Sequence, residues 1–418
     1  MAVKVSRRHK PDYLIVLFMG LIMMLGLIVM YAIGPQRSNF LNTIEGTDFY
    51  TDEYFFLKQA FSLAIALGVF ALAASIPYQW FLKYAWKILL FAFAAALALA
   101  FFGNLLDVEQ ITLCTKGACR WFVIPGFGTF QPAELMKFGV LLFVATFLGI
   151  RSKQGLINDT EKTLVPLGVI AGTAMLFVIV LQKDMGTGLA LISILVTMML
   201  VANIRTKILL LIGAGLLATS MLLIITAPHR IARVATFLQG DSTSVDDAGG
   251  YHVTHAKIAI GSGGLTGVGI GNSVQASGYL PESINDSVFA IMGETFGFVG
   301  LVVVIILFTA LLFRLLHVTD HLEDMRLRLI VAGVFGWLAS HVILNIAAMI
   351  GIFPLTGITL PLLSFGGTSM IFIAAALGLA FQLSRYTNFT STSKERSYED
   401  SSSRRGVGRP RHASRRGY

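Results

Sequence analysis

Apolar residues in this chain run for about 20 positions at a time, without period-2 alternation, and short polar segments separate the runs. As helices, runs of that length match a hydrocarbon core of about 30 Å. The lack of alternation argues against an outer-membrane barrel. Ten spans are predicted, at Pro11–Ile33, Phe55–Ile76, Ala85–Phe102, Gln131–Ile150, Leu164–Leu181, Thr187–Val201, Ile208–Ala227, Ser287–Leu316, Leu329–Ile350 and Gly367–Leu383. The run from Thr187 is short and opens at a charged turn, whereas the run from Ser287 is long enough to tilt or to extend beyond the bilayer. The pattern predicts an all-α polytopic membrane protein of about ten transmembrane helices. Residues 1–384 form one domain, and 385–418 form a basic tail whose Ser- and Arg-rich composition predicts disorder. No internal repeat supports an inverted-repeat transporter.

Composition agrees with this. Of 418 residues, 55% are hydrophobic and 13% charged, about half the charged fraction of a soluble domain. The net charge of +9 sits mostly at the two ends, in KVSRRHK and SRRGVGRPRHASRRGY. Basic flanks stay inside, so both termini are expected in the cytoplasm. Lys83, Arg151, Lys153, Lys162, Arg205, Lys207, Arg314, Arg326 and Arg328 then fall in alternate, inner connections. Segments 34–54, 103–130, the long loop 228–286 between spans 7 and 8, and a short stretch near 351–365 face outward. The first run is too long for a signal-peptide core and no A-x-A site follows it, so it reads as a retained span. GRPRH in the tail is similar to a DNA minor-groove hook. Beside a membrane a polybasic tail meets anionic lipid head groups instead, so lipids and no nucleic acid are expected as partners.

Four polar clusters map to the outward side. The first, RWFVIPGFGTFQPAELMKF, carries Arg120, and places Glu134 and Lys137 three apart on one helix face. A structural ion pair and a functional pair both fit that spacing. The second, QKDMGTG, holds Asp184, either a functional carboxylate or a turn residue. The third runs from Arg230 and Arg233, spaced to meet phosphates, through GSGGLTGVGIGNS to LPESINDS and Glu294. No strand precedes the glycine run, so close helix packing or a flexible turn explains it better than a phosphate cradle. Glu282 and Asp286 are four apart at the rim of the next span, where charge marks function. His252 and His255, beside Asp246 and Asp247, make a weak metal signal. The fourth, HVILNIAAMIGIFPLTGITLPLLSFGGTSM, is broken by Pro354, Pro361 and several glycines. It predicts a re-entrant connection with Ser364, Thr368 and Ser369 as neutral donors. Cys114 and Cys119, five apart, fit either a disulfide or two free thiols.

Together, RW, QPAELMKF, IAIGSGGLTGVGIGNS, GYLPE, the Asp286 neighbourhood and TGITLPLLSFGGTS resemble the SEDS family (shape, elongation, division and sporulation), which includes FtsW, RodA and SpoVE. The resemblance implies a bacterial inner-membrane enzyme that polymerises lipid II, a disaccharide-pentapeptide on undecaprenyl pyrophosphate. It also implies a class B penicillin-binding protein, an FtsI-like transpeptidase, as partner, together with other division proteins. PESIND matches the family's PE-x-H-T-D motif, which makes Asp286 the essential carboxylate, and Glu134 and Lys137 match the family's Glu and Lys. Ile284-Asn285, Glu294-Thr295-Phe296-Gly297, Gln182-Lys183-Asp184, His252 and His255 depart from the family pattern. GIGNSVQASGYLPE and TLPLLSFGG look more like the division members than the elongation members, so a septal role is expected, with RodA-type elongation as the alternative.

The implied reaction joins a C4 hydroxyl to an anomeric carbon with inversion and expels a lipid diphosphate. Asp286 is the expected general base. A divalent metal, Mg or Mn, is the expected cofactor, with Asp286 as its possible ligand. Lys137 and Arg120 are expected to help hold the diphosphate, and Asp184, Glu282, Glu294, Arg230, Arg233 and Ser364 to line the substrate site. A lipid II flippase would need polar groups continuing to the inner side. A structural scaffold would not need carboxylates at the rim. The outward gathering of the clusters favours the enzyme.

Overall fold

The computed structural model describes residues 9–106, 108, 110–115, 118–124, 128–225 and 248–388. Arg230, Arg233, Asp246, Asp247, Pro125, Gly126 and the tail from 389 lie outside these described residues. The helices are α1 (Tyr13–Glu45), α2 (Tyr54–Ser75), α3 (Tyr78–Leu99), α4 (Pro132–Lys153), α5 (Val165–Met175), α6 (Met185–Val201), α7 (Thr206–Ile225), α8 (Ala248–Ser262), α9 (Val288–Asp320), α10 (Met325–Met349) and α11 (Gly367–Leu383). Eight helical segments are long and apolar enough to cross a membrane, and two shorter apolar helices, Met185–Val201 and Thr206–Gly215, fall at the other two predicted spans. The chain is a polytopic, predominantly helical membrane protein.

Burial sorts these helices. In α4, α10 and α11, 78% of the most apolar window is buried; in α1, α2, α3, α5 and α9 the figure is 39% or less. The first three form the centre, and the others turn apolar faces outward, as lipid contact requires. Small residues let the central helices approach closely. At Gly336 of α10 an added Cβ would stand 2.9 Å from the Ser193 carbonyl of α6, and Ser193 Oγ donates to the Gly336 carbonyl at 2.9 Å.

Three features differ from the sequence expectation. First, α1 does not stop at Ile33. It continues through Pro35 to Gly46, a left-handed C-cap at φ 63°. Proline costs a helix one hydrogen bond, but the extension is latched to the following loop. Ser38 Oγ donates to the Thr51 carbonyl (2.8 Å), and Asn42 exchanges two bonds with the Tyr50 backbone (2.8 and 3.0 Å).

Second, the segment between α3 and α4 folds into a small antiparallel sheet, β1 (Thr112–Thr115), β2 (Ala118–Ile124) and β3 (Gly128–Phe130), in the order β1-β2-β3. Thr112 pairs with Phe122, and Cys114 opposite Cys119 forms a disulfide. Branched and aromatic residues suit these strands. Thr368 Oγ1 donates to the Thr129 carbonyl, which ties β3 to the start of α11.

Third, α9 is two helices joined at Gly297, whose φ of 67° and ψ of −167° are non-helical. That region is essentially open to glycine alone. A helix broken inside a membrane must satisfy its freed backbone groups internally. The glycine-rich loop does this. Val268 and Gly269 N–H groups donate to the Glu294 and Thr295 carbonyls (2.9 and 3.1 Å), and Phe298 and Val299 N–H groups donate to the Gly264 and Leu265 carbonyls (2.9 and 3.1 Å). An added Cβ at Gly267 would collide with the Thr295 carbonyl. The glycine run therefore serves backbone-on-backbone packing.

Candidate active site

The polar clusters meet on the irregular segment between α10 and α11, where Gly351 and Gly357 take φ of 78° and 70° and Leu362 takes 64°. This segment is the re-entrant connection the sequence predicts. Asn345, near the end of α10, holds it. Its Nδ2 donates at 2.7 Å both to the Ile358 carbonyl and to the Asp286 carbonyl. The Phe365 N–H donates to the Ile284 carbonyl at 2.8 Å. The turn that carries Asp286 is thereby pinned to the re-entrant segment at two points. A Cβ placed on Gly357 would lie 3.9 Å from Asp286 Oδ2, so the carboxylate rests against bare backbone.

From behind, His252 of α8 braces the turn. Its Nε2 is 2.6 Å from Ser287 Oγ, and that hydroxyl donates to the Pro281 carbonyl at 2.8 Å. With its one proton used there, the Ser287 oxygen accepts from His252. His255 instead meets Gln275 at 2.7 Å. The two histidines do not act as a pair.

Glu134 and Lys137 of α4 do face each other, with Nζ and Oε1 2.8 Å apart. Lys137 Nζ is also 3.2 Å from His341 Nε2 and sits 4.9 Å from the centre of the Trp337 ring. His341 Nδ1 is 3.3 Å from the Thr359 carbonyl. If Nδ1 donates to that carbonyl, Nε2 accepts from Lys137, and the chain Glu134–Lys137–His341–Thr359 is complete. Lys137 is 0% exposed. In this arrangement its ammonium meets Glu134 and His341 and supports the re-entrant segment. The spacing places both residues on one face, but it does not reveal that His341 and Trp337 close over them.

Arg120 on β2 gives Nε to the Gln182 carbonyl (3.3 Å) and Nη2 to the Lys183 carbonyl (2.8 Å). Asp184 is the N-cap of α6. It accepts from the Thr187 N–H (3.0 Å) and Thr187 Oγ1 (2.9 Å), and also from Gln131 Nε2 (3.0 Å). The turn reading therefore describes Asp184, and Arg120 binds that turn. Gly186 lets the turn abut the Thr356 carbonyl, 2.8 Å from an added Cβ. Both residues shape the wall of the site from one step away.

Glu294 is buried. It accepts from Ser273 Oγ, from the Val274 N–H (3.0 Å) and from the Gln275 N–H (3.2 Å). Its carboxylate anchors the loop, which differs from the substrate contact expected of it. Ser364 is likewise internal, with Oγ accepting from the Leu360 N–H (2.9 Å) and its carbonyl from Gln59 Nε2 (3.3 Å). Glu282 is exposed at the rim with φ of 50°, and accepts from Asn285 Nδ2 at 2.6 Å.

Two cations at the rim have no assigned role in the sequence reading. Arg37, on the extension of α1, faces Glu282 electrostatically and lies 5.3 Å from the Phe40 ring. Lys58 of α2 is exposed, bonds Tyr54 Oη at 3.2 Å and lies 5.9 Å from the Phe365 ring. A lone lysine at the outer end of an apolar run was the available signal for the second. Arg37 gave none, because the sequence pattern ends α1 before it.

Buried polar atoms without a hydrogen-bond partner among the described residues gather around the re-entrant segment: Glu134 Oε2, Gln182 Oε1 and Nε2, Asn345 Oδ1 and Thr356 Oγ1. Each such atom costs about 1–3 kcal/mol, and a cluster of them marks a place shaped for something other than stability. Among the described residues no three His, Cys, Asp or Glu side chains stand together to hold a metal ion.

A family model described as a cell cycle protein of the FtsW, RodA and SpoVE type matches residues 12–389. Stage V sporulation protein E of Bacillus subtilis is 29% identical over 92% of this chain and 100% of its own length. A protein named probable peptidoglycan glycosyltransferase FtsW, of Thiomicrospira cyclica, is 32% identical over 79% of this chain and 82% of its own. Among solved structures, a chain from a study titled "Structural coordination of polymerization and crosslinking by a peptidoglycan synthase complex" superposes with a TM-score of 0.69 at 25% identity, covering 91% of this chain and 99% of that one. The Thermus thermophilus rod shape determining protein RodA shares the fold, with a TM-score of 0.61 at 24% identity over 91% of this chain and 98% of that one. The matched residues take in every transmembrane helix and the whole of the pinned Asp286 turn, and the chain belongs to the FtsW, RodA and SpoVE family.

Proposed function

We propose that this protein is a peptidoglycan glycosyltransferase that polymerises lipid II at the outer face of the bacterial cytoplasmic membrane, with Asp286 as general base. The observation that carries this reading is the Asp286 turn, clamped by Asn345 against the re-entrant segment. Family membership supports the chemistry. The disulfide Cys114–Cys119 supports the outward assignment of that end, because disulfides persist in oxidising compartments.

The C4 hydroxyl oxygen of one disaccharide attacks the anomeric carbon of another. The bond from that carbon to the diphosphate oxygen breaks, and its electron pair leaves with the lipid diphosphate. The hydroxyl proton passes to Asp286, a step worth about 10²–10⁴-fold. Direct displacement inverts the anomeric centre. With Lys137 enclosed and Arg120 bound to carbonyls, Arg37 and Lys58 are cations among the described residues that stand at the rim to meet the diphosphate. A magnesium or manganese ion brought in with the diphosphate would be held on the protein side by Asp286 and would neutralise the charge that develops on the leaving group.

The division-type glycine loop and TLPLLSFGG favour septal synthesis beside a class B penicillin-binding protein and other division proteins. The deciding experiment mixes the purified protein, its transpeptidase partner and labelled lipid II, and reads glycan chains on a gel. Asp286→Asn, folded and inserted, is expected to lose about 10²–10⁴-fold in chain formation. Chains at the normal rate from that variant would remove Asp286 from the chemistry. Wild-type protein that moves lipid II across vesicles and forms no chains would make it a flippase.

A further inference from the structure

At the end of the bundle that the basic segments assign to the cytoplasm, a cavity of about 460 Å³ opens where α1 begins and α9 and α11 end. Lys10, Tyr13, Leu14, Leu17, Arg314 and His317 are among its lining residues. The cavity is a built feature of the fold. Arg314 Nε pairs with Asp12, the Asp12 N–H donates to Ser384 Oγ (2.8 Å), and the His9 N–H donates to the Arg385 carbonyl (2.9 Å). These contacts fix the chain before α1 against the end of α11. Among the described residues Arg314 commits only Nε, to Asp12, which leaves the outer edge of its guanidinium for another anion. Lys10 is exposed at the cavity.

The apolar part of the lining does not stop at the cavity. Leu14, Leu17, Leu21, Met24 and Ile28 are all exposed large hydrophobics on α1. Their spacing of three and four puts them on one face. The stripe rises about 21 Å at 1.5 Å per residue, enough to cross one leaflet of a core about 30 Å thick. Two cations at the level of the head groups therefore stand directly below a hydrocarbon track along the membrane normal.

We propose that this cavity binds the phosphodiester head group of an anionic phospholipid of the inner leaflet, with one acyl chain lying along the α1 stripe. Phosphate oxygens meet Lys10 and the free edge of Arg314, which are charge-assisted contacts. A soluble phosphate would use the same cations but leave the stripe unused. A zwitterionic lipid would fill the stripe while bringing its own cation towards Lys10.

The test is native mass spectrometry of the full chain in detergent, with added phosphatidylglycerol or phosphatidylcholine of equal chain length. Phosphatidylglycerol is expected to be retained preferentially. Lys10→Gln is expected to weaken its retention about fivefold, the factor set by about 1 kcal/mol for each basic residue at a lipid surface. Arg314→Gln should do at least as much. Because that change also strips Asp12 of its partner, Lys10→Gln, which removes no bond among the described residues, is the deciding variant. Equal retention of the two lipids, or an unchanged Lys10→Gln, overturns the proposal. Displacement of the lipid by millimolar inorganic phosphate or glycerol 3-phosphate also overturns it, since the site would then read phosphate alone.

Discussion

At its inner end α10 begins with Asp324, which accepts from the Arg326 N–H (2.9 Å) and pairs with Arg326 (2.8 Å) and Lys153 (3.2 Å). Towards its outer end the same helix carries Asn345, whose amide holds two carbonyls of irregular chain while its own oxygen is buried without a partner among the described residues. One end spends its charges on caps and ion pairs. The other leaves polar atoms under-used around a carboxylate. A single rigid helix joins them, so the ordered end can hold the costly end in place. Removing a group at the inner end should therefore change stability, and removing one at the outer end should change chemistry.

Lys137→Met tests the boundary between these roles and should have the largest effect on stability. Glu134 would be left as a buried, unpaired charge, at about 3–5 kcal/mol. Thermal unfolding in detergent should show the loss, and Glu134→Gln with Lys137→Met should recover most of it. A single variant with normal stability and a raised KM for lipid II would instead place Lys137 on the substrate.

Asn345→Leu comes next. It frees the Asp286 turn from the re-entrant segment, and displacement of a reacting group by about 1 Å costs about 10²-fold. Chain formation should fall by that order with a much smaller shift in melting temperature. Equal fractional losses in both would make Asn345 a structural residue only.

The smallest effect belongs to the inner end. Burial pushes the Asp324 carboxyl up, but the hydrogen bonds and charge of Arg326, with Lys153, bring it down from its ordinary 3.8 to about 2. A lowered folded-state value stabilises above the unfolded value and loses that contribution as pH falls. The window therefore runs from about pH 4 down to about pH 2. Asp324→Asn keeps an N-cap acceptor but removes the charge that pairs with Arg326 and Lys153; it should cost about 1 kcal/mol at neutral pH and should flatten stability across that acid window. Lipid II turnover at pH 7 should be unchanged. A drop in turnover would couple the two ends more tightly than the rigid helix requires.

The membrane helices were legible because hydrocarbon thickness leaves few choices. All ten predicted runs fall on helices, and the broken connection at Pro354 and Pro361 is where it was expected. The extension of α1 past Pro35 was not legible, since proline's local cost is outweighed by Ser38 and Asn42 reaching a loop further along the chain. The sheet was hidden because its strands are short and lie between apolar spans. In the site, residue types and spacing located Glu134, Lys137 and the Asp286 turn. They could not show that Glu294 anchors a loop or that Asn345 clamps the turn, since each depends on contacts far apart in sequence; Asp184 caps α6 through Thr187, three residues on, and residue type alone left that turn role open beside a functional one. The weak metal signal of His252 and His255 dissolves for the same reason, one histidine meeting Ser287 and the other Gln275.

The glycine loop knitted into the break of α9 also bears on how the protein is made. A helix interrupted at Gly297 would present bare amides and carbonyls to lipid as it left the ribosome's insertion channel. The segment that covers them, residues 264–269, lies just ahead of it in the chain and is synthesised first. The cover is ready when the break emerges. Exchanging the order of these two segments by circular permutation, even with every native contact still available, would expose the break during insertion and turn a stable fold into one that is hard to assemble.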